Sequence, residues 1–301
     1  MNHGKYRVII SFLVLPVLIY GVFVVSPYLQ TFYISLTNWR GYSTNPPFIG
    51  FGNYTALFKD DVFWQALLHN GILLVVLPVA VIVMSLFFAF MLNAAGRKKG
   101  AIAGVPGSGI YRVVYFFPYV LSVAIVGILW VNIYNPINGL LNGFLKIIGL
   151  GHVQPTWLGD PNLAIWAVMA AMVWNFVGFY VVLFTAGMQS IPNEIYEAAL
   201  LDGAGRAQTF FSVTLPLLWG NVQTSLVYMG ILALDGFAII QIMTNGGPNN
   251  STQVIATYLY QTAFNYGQFG YASAMGVVLF LFTLILAAIT LRVTRRDTVE
   301  F

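Results

Sequence analysis

Asp235 is the one acid lying inside a long apolar run of this 301-residue chain. With Asn221, Ser225 and Tyr228 it falls at offsets 0, 4, 7 and 14, the spacing of a single helix face. An ionisable group in such surroundings is costly and is by default a functional candidate. Two chemistries suit the stripe. A proton relay would want a second acid or histidine in another apolar run, and none is visible. A neutral polyol would be met by hydroxyl, amide and carboxylate groups with aromatic faces alongside. Hydrogen bonding between helices, or a dimer contact, would account for the same stripe. Covalent and hydrolytic chemistry has no foothold. The chain has no Cys, and His3, His69 and His152 lie on separate segments. No HExxH, GxSxG or GxxxxGK[ST] string occurs.

A second constellation runs from Ser190 to Pro216, where Glu194, Glu197, Asp202 and Arg206 stand between two long runs almost free of charge. Pro192 suits a helical first turn, where its missing N–H costs nothing, and Glu194 faces the positive end of the macrodipole. Ala198 and Ala199 leave a small face that another backbone can approach. Gly203 ends or bends the segment, and a second short helix over about 207–215 leads to Pro216. Such a segment is either a solvated loop or a rigid docking helix offering small and acidic residues to a partner.

Glu197-Ala198-Ala199, Asp202-Gly203-Ala204 and Val213-Thr214-Leu215-Pro216 together resemble the Glu-Ala-Ala signature of permease subunits of binding-protein-dependent ABC importers. Val213 stands where isoleucine is usual. The resemblance implies that 190–216 is a coupling helix fitting a cleft on a cytoplasmic ATPase, with Glu194, Glu197, Ala198, Ala199, Asp202, Gly203, Ala204 and Arg206 at the joint.

The elements that must position these residues follow from composition. The chain is 59% hydrophobic and 7% charged, with a mean hydropathy of +0.80. A soluble domain carries about 25% charged residues, so this is an integral membrane protein. A spanning helix needs about 20 apolar residues. Six stretches qualify, at about 8–36, 64–92, 111–134, 163–188, 217–243 and 269–291, in a single permease domain over 1–301. The N-terminal run is read as the first span rather than as a cleaved leader. With the N-terminus inside, inner segments hold Lys5, Arg7, Arg97, Lys98, Lys99, Arg112, Arg206, Arg292, Arg295 and Arg296; outer segments hold Arg40, Lys59 and Lys146. Ten against three is a positive-inside bias, placing both termini and the 190–216 segment inside. The net charge of +4 therefore reflects orientation, with Lys98 and Lys99 facing anionic headgroups, and not a nucleic-acid surface.

The outer loops extend the resemblance to about residues 10–292 and narrow it to the carbohydrate-uptake branch of the family. Gly50, Asn53-Tyr54, Asp61 and Phe63-Trp64 match in the first loop. The second matches at Pro136, Gly139 and Trp157-Leu158-Gly159-Asp160-Pro161. The third matches at Gly246-Gly247-Pro248 and at Phe269-Gly270-Tyr271-Ala272. A short amphipathic helix over 140–150, with Leu141, Phe144, Leu145 and Ile148 on one side, reads as interfacial, and Trp157 as a belt anchor.

The resemblance implies an all-α membrane protein with six transmembrane helices, both termini inside, and the type I ABC importer permease fold. It implies a multi-pass subunit of a prokaryotic inner membrane that imports sugar by alternating access and forms half of the translocation path, with Tyr119, Ser122, Trp174 and Asn175 lining that path beside the Asn221–Asp235 stripe. The partners implied are a second, paralogous permease, two cytoplasmic ATPase subunits carrying ATP and Mg, and an external solute-binding protein. No cofactor is implied on this chain. The competing reading is a secondary transporter driven by an ion gradient through Asp235.

Overall fold

The computed structural model describes residues 3–94, 97–98, 101–102, 108–234 and 236–293. Asp235, with Lys99, Arg295 and Arg296 among the basic residues counted above, lies outside them. In chain order the helices begin with α1 (His3–Tyr20), a π turn (Gly21–Val25), α2 (Ser26–Ser35), α3 (Gly52–Leu57) and α4 (Asp61–Ala94). A two-residue antiparallel pair follows, β1 (Arg97–Lys98) with β2 (Ala101–Ile102). Next come α5 (Ser108–Val120), α6 (Val123–Ile133), α7 (Leu140–Ile147), α8 (Ala164–Ser190) and α9 (Asn193–Leu201). The remainder are α10 (Arg206–Thr209), α11 (Leu215–Leu217), α12 (Trp219–Leu234), α13 (Phe237–Met243), α14 (Ile255–Tyr260) and α15 (Phe269–Val293).

Among the described residues, four stretches are long and apolar enough to cross a membrane: Phe12–Ser35, Asp61–Leu92, Ala164–Ser190 and Phe269–Ala288. Two bent pairs bring the number to six if each is one span. Gly109–Val120 meets Val123–Ile133 at 98°, and Arg206–Leu217 meets Trp219–Leu234 at 67°. The uninterrupted third span expected over 111–134 is thus broken, and the cause is local. Pro118 removes one N–H from the ladder, and Ser122 adopts an extended φ/ψ of −63°/146° and caps α6 by accepting from the Ile125 amide at 3.4 Å. The fifth stretch is also interrupted, α12 ending at Leu234 and α13 starting at Phe237. Pro78, by contrast, sits inside α4 without ending it.

By contacts the chain divides into two compact units, residues 1–64 with 258–282, and residues 65–257 with 283–301. The first is held by polar ties. The Asn53 amide donates to the carbonyls of Ser35 (2.8 Å) and Thr37 (2.9 Å), and the Gly270 amide donates to the Trp39 carbonyl at 3.0 Å. A Cβ on Gly270 would strike the Thr37 carbonyl oxygen, so glycine is what lets these backbones meet.

The second unit contains the continuous core, in which α8 is central: Val168, Ala171, Tyr180, Val181 and Phe184 are buried. Lipid is as apolar as leucine, so helices in a bilayer associate through close packing and polar ties. Both are present. At Gly178 of α8 a Cβ would collide with the Tyr115 carbonyl oxygen of α5. Ser85 donates to the Val177 carbonyl at 3.0 Å, and the buried His69 ring meets the Gln253 carbonyl at 2.8 Å through Nδ1.

The short helix expected over 140–150 forms as α7, but its exposed apolar residues are Leu140, Phe144, Ile147 and Ile148, while Leu141 packs against the core. Trp157, read as a belt anchor, is half-buried and donates to the Asn142 side chain at 2.8 Å, fastening α7.

Candidate functional site

Two sites were expected, and their residues meet different fates. The docking segment is built around a helix with a defined start and stop. Pro192, extended at φ −55° and ψ 137°, is the N-cap of α9. Gly203 adopts φ +78°, the left-handed region that a side chain strains. Around it the Gly203 amide reaches the Leu200 carbonyl (3.1 Å) and the Ala204 amide the Ala199 carbonyl (2.9 Å), the paired bonds of a glycine-terminated helix. Ile191, Tyr196 and Phe210 turn inward to the core, with the Phe210 ring 4.8 Å from that of Phe90 on α4. Thr214 donates to the Tyr196 hydroxyl at 3.4 Å, and burial pushes that phenol's pKa above its ordinary value.

The other face of the segment is open. Glu194, Glu197, Ala198, Asp202, Gly203 and Arg206 are exposed, and Ala199 and Ala204 half-exposed. Among the described residues none of the four charged side chains has an ion-pair or hydrogen-bond partner. Glu194, Glu197, Ala198 and Leu201 share one helix face at i, i+3, i+4 and i+7. Leu201, which the sequence reading passed over, is 89% exposed at its tip. A leucine displayed beside a rigid glycine stop has the form of an anchor for a partner's groove.

The path residues divide into structural and open ones. Asn175 is buried and its amide donates to the Pro118 carbonyl at 2.6 Å, closing the C-terminal end of α5. Ser122 caps α6, as described above. Both therefore hold the break in the third span. Trp174 packs edge-on against Trp130 at 5.6 Å and 75°. Ser225 is buried and donates to the Asn221 carbonyl of its own helix at 2.7 Å. The Asn221 side chain lies where a Cβ on Gly187 of α8 would go.

What remains open is aromatic. Tyr119 stacks on Phe179 with centroids 4.8 Å apart and 26° between planes. Phe179 in turn meets the Tyr180 ring edge-on at 5.2 Å and 88°, and the Tyr228 phenol lies near those of Tyr119 and Tyr180. Tyr228 is exposed. The Tyr180 hydroxyl is buried, with no hydrogen-bond partner among the described residues. A buried hydroxyl without a partner is expensive and marks a place where another donor or acceptor fits. Tyr180 was not singled out from the sequence, since a tyrosine in an apolar run gives no sign of where its hydroxyl ends. Stacked rings beside phenol hydroxyls suit a neutral ring-bearing polyol.

Residues 48–297 match the family of "Binding-protein-dependent transport system inner membrane component" proteins. The Diacetylchitobiose uptake system permease protein NgcF of Streptomyces coelicolor is 44% identical over 288 residues, covering 95% of this chain and 82% of that one. The Multiple sugar-binding transport system permease protein MsmF of Streptococcus mutans is 33% identical over 289 residues, covering 95% and 94%. Among solved structures, a chain of a bacterial alginate ABC transporter, in complex with an alginate pentasaccharide-bound periplasmic protein, superposes with a TM-score of 0.81. It is 24% identical, covering 98% of this chain and 97% of that chain.

Proposed function

The chain belongs to the family of binding-protein-dependent transport system inner membrane components, and on that premise we propose that it is the sugar-conducting half of an ATP-driven importer. It is a non-catalytic membrane permease subunit with the type I ABC permease fold. The observation that carries the reading is the joint at α9 and Gly203. A helix with one face fixed in the core and the other bare of partners is built to transmit movement. In this reading both termini and the joint are cytoplasmic. Two ATPase subunits holding ATP and Mg engage α9 through Glu194, Glu197, Ala198 and Leu201, and a second permease completes the path.

Sugar as cargo rests on relatives whose names specify diacetylchitobiose and multiple sugars, and on the Tyr119–Phe179 stack beside Tyr180 and Tyr228. A sugar ring would lie against aromatic faces while the phenols, with Asn221, meet its hydroxyls. The class of sugar is an oligosaccharide or a related carbohydrate delivered by an external solute-binding protein.

Reconstituted vesicles test this against transport driven through Asp235. Uptake of labelled oligosaccharide should require ATP and the binding protein, stop with vanadate, and persist when proton and sodium gradients are collapsed. Uptake that follows the ion gradient without ATP would replace this reading with the other.

A further inference from the structure

We propose that a polar cleft in the first unit receives a carboxylate of the solute-binding protein, with Arg40 as its ion-pair partner. This rests on the importer reading, which puts the cleft on the outer side and supplies a protein to occupy it.

The cleft has a volume of about 250 Å³ and is lined by Asn38, Trp39, Arg40, Asn53, Gln268 and Tyr271. Its walls are fixed before anything binds. Asn53 is 8% exposed and tied through its amide nitrogen to two carbonyls. Trp39 donates from its indole to the Ser43 carbonyl at 2.9 Å and rests 5.3 Å from the Phe269 ring. The Tyr271 hydroxyl is held by Asp60 at 2.6 Å.

The charge left over is positive. Arg40 is exposed and has no acidic partner among the described residues. Asp60, the acid beside the cleft, is fully engaged. One oxygen accepts from the amides of Val62 (2.9 Å) and Phe63 (3.2 Å), the other from the hydroxyls of Tyr258 (2.7 Å) and Tyr271 (2.6 Å). Asn38 and Gln268 add exposed amides. A free guanidinium flanked by carboxamides is a carboxylate receptor in which Arg can bind both oxygens.

Size and surroundings choose the source of that carboxylate. Ligand pockets run to about 300–1,000 Å³, so this cleft suits one side chain better than an oligosaccharide. The same unit also presents Tyr42 (95% exposed), Phe51 (73%), Phe48 (64%) and Phe58 (64%). Aromatic residues with arginine are the set enriched at the centres of protein interfaces. The occupant is therefore an Asp or Glu on a lobe of the binding protein.

The test uses the full transport complex and the cognate binding protein isolated through its co-purification with that complex. Arg40→Lys keeps the charge and supplies an amine, which a carbodiimide joins to a neighbouring carboxylate as an amide with loss of water. Mass spectrometry should find this link to an Asp or Glu of the binding protein in Arg40→Lys and not in Arg40→Gln. A link only to Asp60 or Asp61 of the same chain, or no new link, overturns the proposal. In a binding assay at low salt, Arg40→Gln should weaken the binding protein about tenfold, with the gap narrowing at high salt and ATPase activity without the binding protein unchanged. Equal binding by wild type and Arg40→Gln overturns the proposal and leaves the importer reading standing. If wild type binds no such protein, both fall. Protection of the Arg40→Lys amine from an acylating reagent by free oligosaccharide alone would assign the cleft to sugar and overturn the proposal.

Discussion

The Asp60 carboxylate and the Tyr271 hydroxyl, 211 residues apart in sequence, meet at 2.6 Å. With Tyr258 at 2.7 Å, one acid gathers the first and last parts of the smaller unit. Burial by itself raises the carboxyl's pKa, but bonds from Tyr271, Tyr258, Phe63 and Val62 outweigh it and leave the group below the usual carboxylate value. Burial and the same acid push Tyr258 above the ordinary phenol range, so it remains a donor. A carboxyl with a depressed folded pKa stabilises above its unfolded pKa, about 3.9, and that stability is lost as pH falls through the folded value. Asp60→Asn should therefore cost about 1–2 kcal/mol at pH 7, a figure already discounted for solvent screening. Thermal melts in detergent from pH 7 to 3 check it: the gap between wild type and variant should close at the acid end. A gap constant across that range would mean that the carboxylate's charge is not what holds the unit.

Gly178 sets how near α5 can come to α8. Gly178→Ala must displace the Tyr115 carbonyl, and overpacking of this kind costs about 1–3 kcal/mol. Gly143→Ala on α7 is the matched control, because a Cβ there meets nothing within 4 Å. It should be neutral or stabilising by about 0.5–1 kcal/mol from helix propensity. Melting temperatures in the same detergent would report a fall for the first and none for the second.

How much of this could be read in the chain depends on what carries the signal. Span length is written in apolar runs, and α4, α8 and α15 lie close to the expected 64–92, 163–188 and 269–291. The 98° bend at Leu121–Ser122 was not legible. A proline alone does not say whether its helix kinks or stops, as Pro78 and Pro118 show by doing different things. Deciding it takes Asn175, 57 residues further on, to satisfy the freed Pro118 carbonyl. Nor does the sequence show that Asn175, read as lining the sugar path, has its amide nitrogen engaged at the end of α5. Gly203 was legible because a glycine after an alanine-rich helix has one common use. Leu201 was not, since exposure of a single leucine is a tertiary fact.

In the aromatic cluster, ring and hydroxyl can be separated. Tyr119→Phe keeps the stack on Phe179, and Tyr119→Ala removes it. An aromatic contact is worth about 0.5–1.5 kcal/mol beyond buried area, so Tyr119→Ala should lower uptake about tenfold at limiting sugar while Tyr119→Phe stays near wild type. Tyr180→Phe asks a different question. It deletes a buried hydroxyl that has no described partner, so stability should hold or rise. If that hydroxyl meets cargo, sugar uptake should fall in the same protein. Melting temperature and initial uptake rate, measured together, keep the two effects apart.

Gly203 and Leu201 test the joint from two sides. At φ +78° a non-glycine residue pays roughly 1–2 kcal/mol, asparagine being the mildest because its side chain tolerates that region. Nothing lies within 4 Å of a Cβ there, so any cost is conformational and not a clash within this chain. Gly203→Asn should then keep most activity. Gly203→Leu should abolish uptake and loosen the ATPase, because it both strains the turn and fills space that a partner would need. Leu201→Asp removes the exposed apolar tip and adds a carboxylate at the negative end of the α9 dipole, which costs about 0.3–1 kcal/mol, so its melting temperature should fall only slightly. Co-purification of the ATPase in mild detergent is the readout. Retention of the ATPase by Leu201→Asp and Gly203→Leu alike, with normal insertion, would mean that the open face of α9 is ordinary surface and that force enters the permease elsewhere.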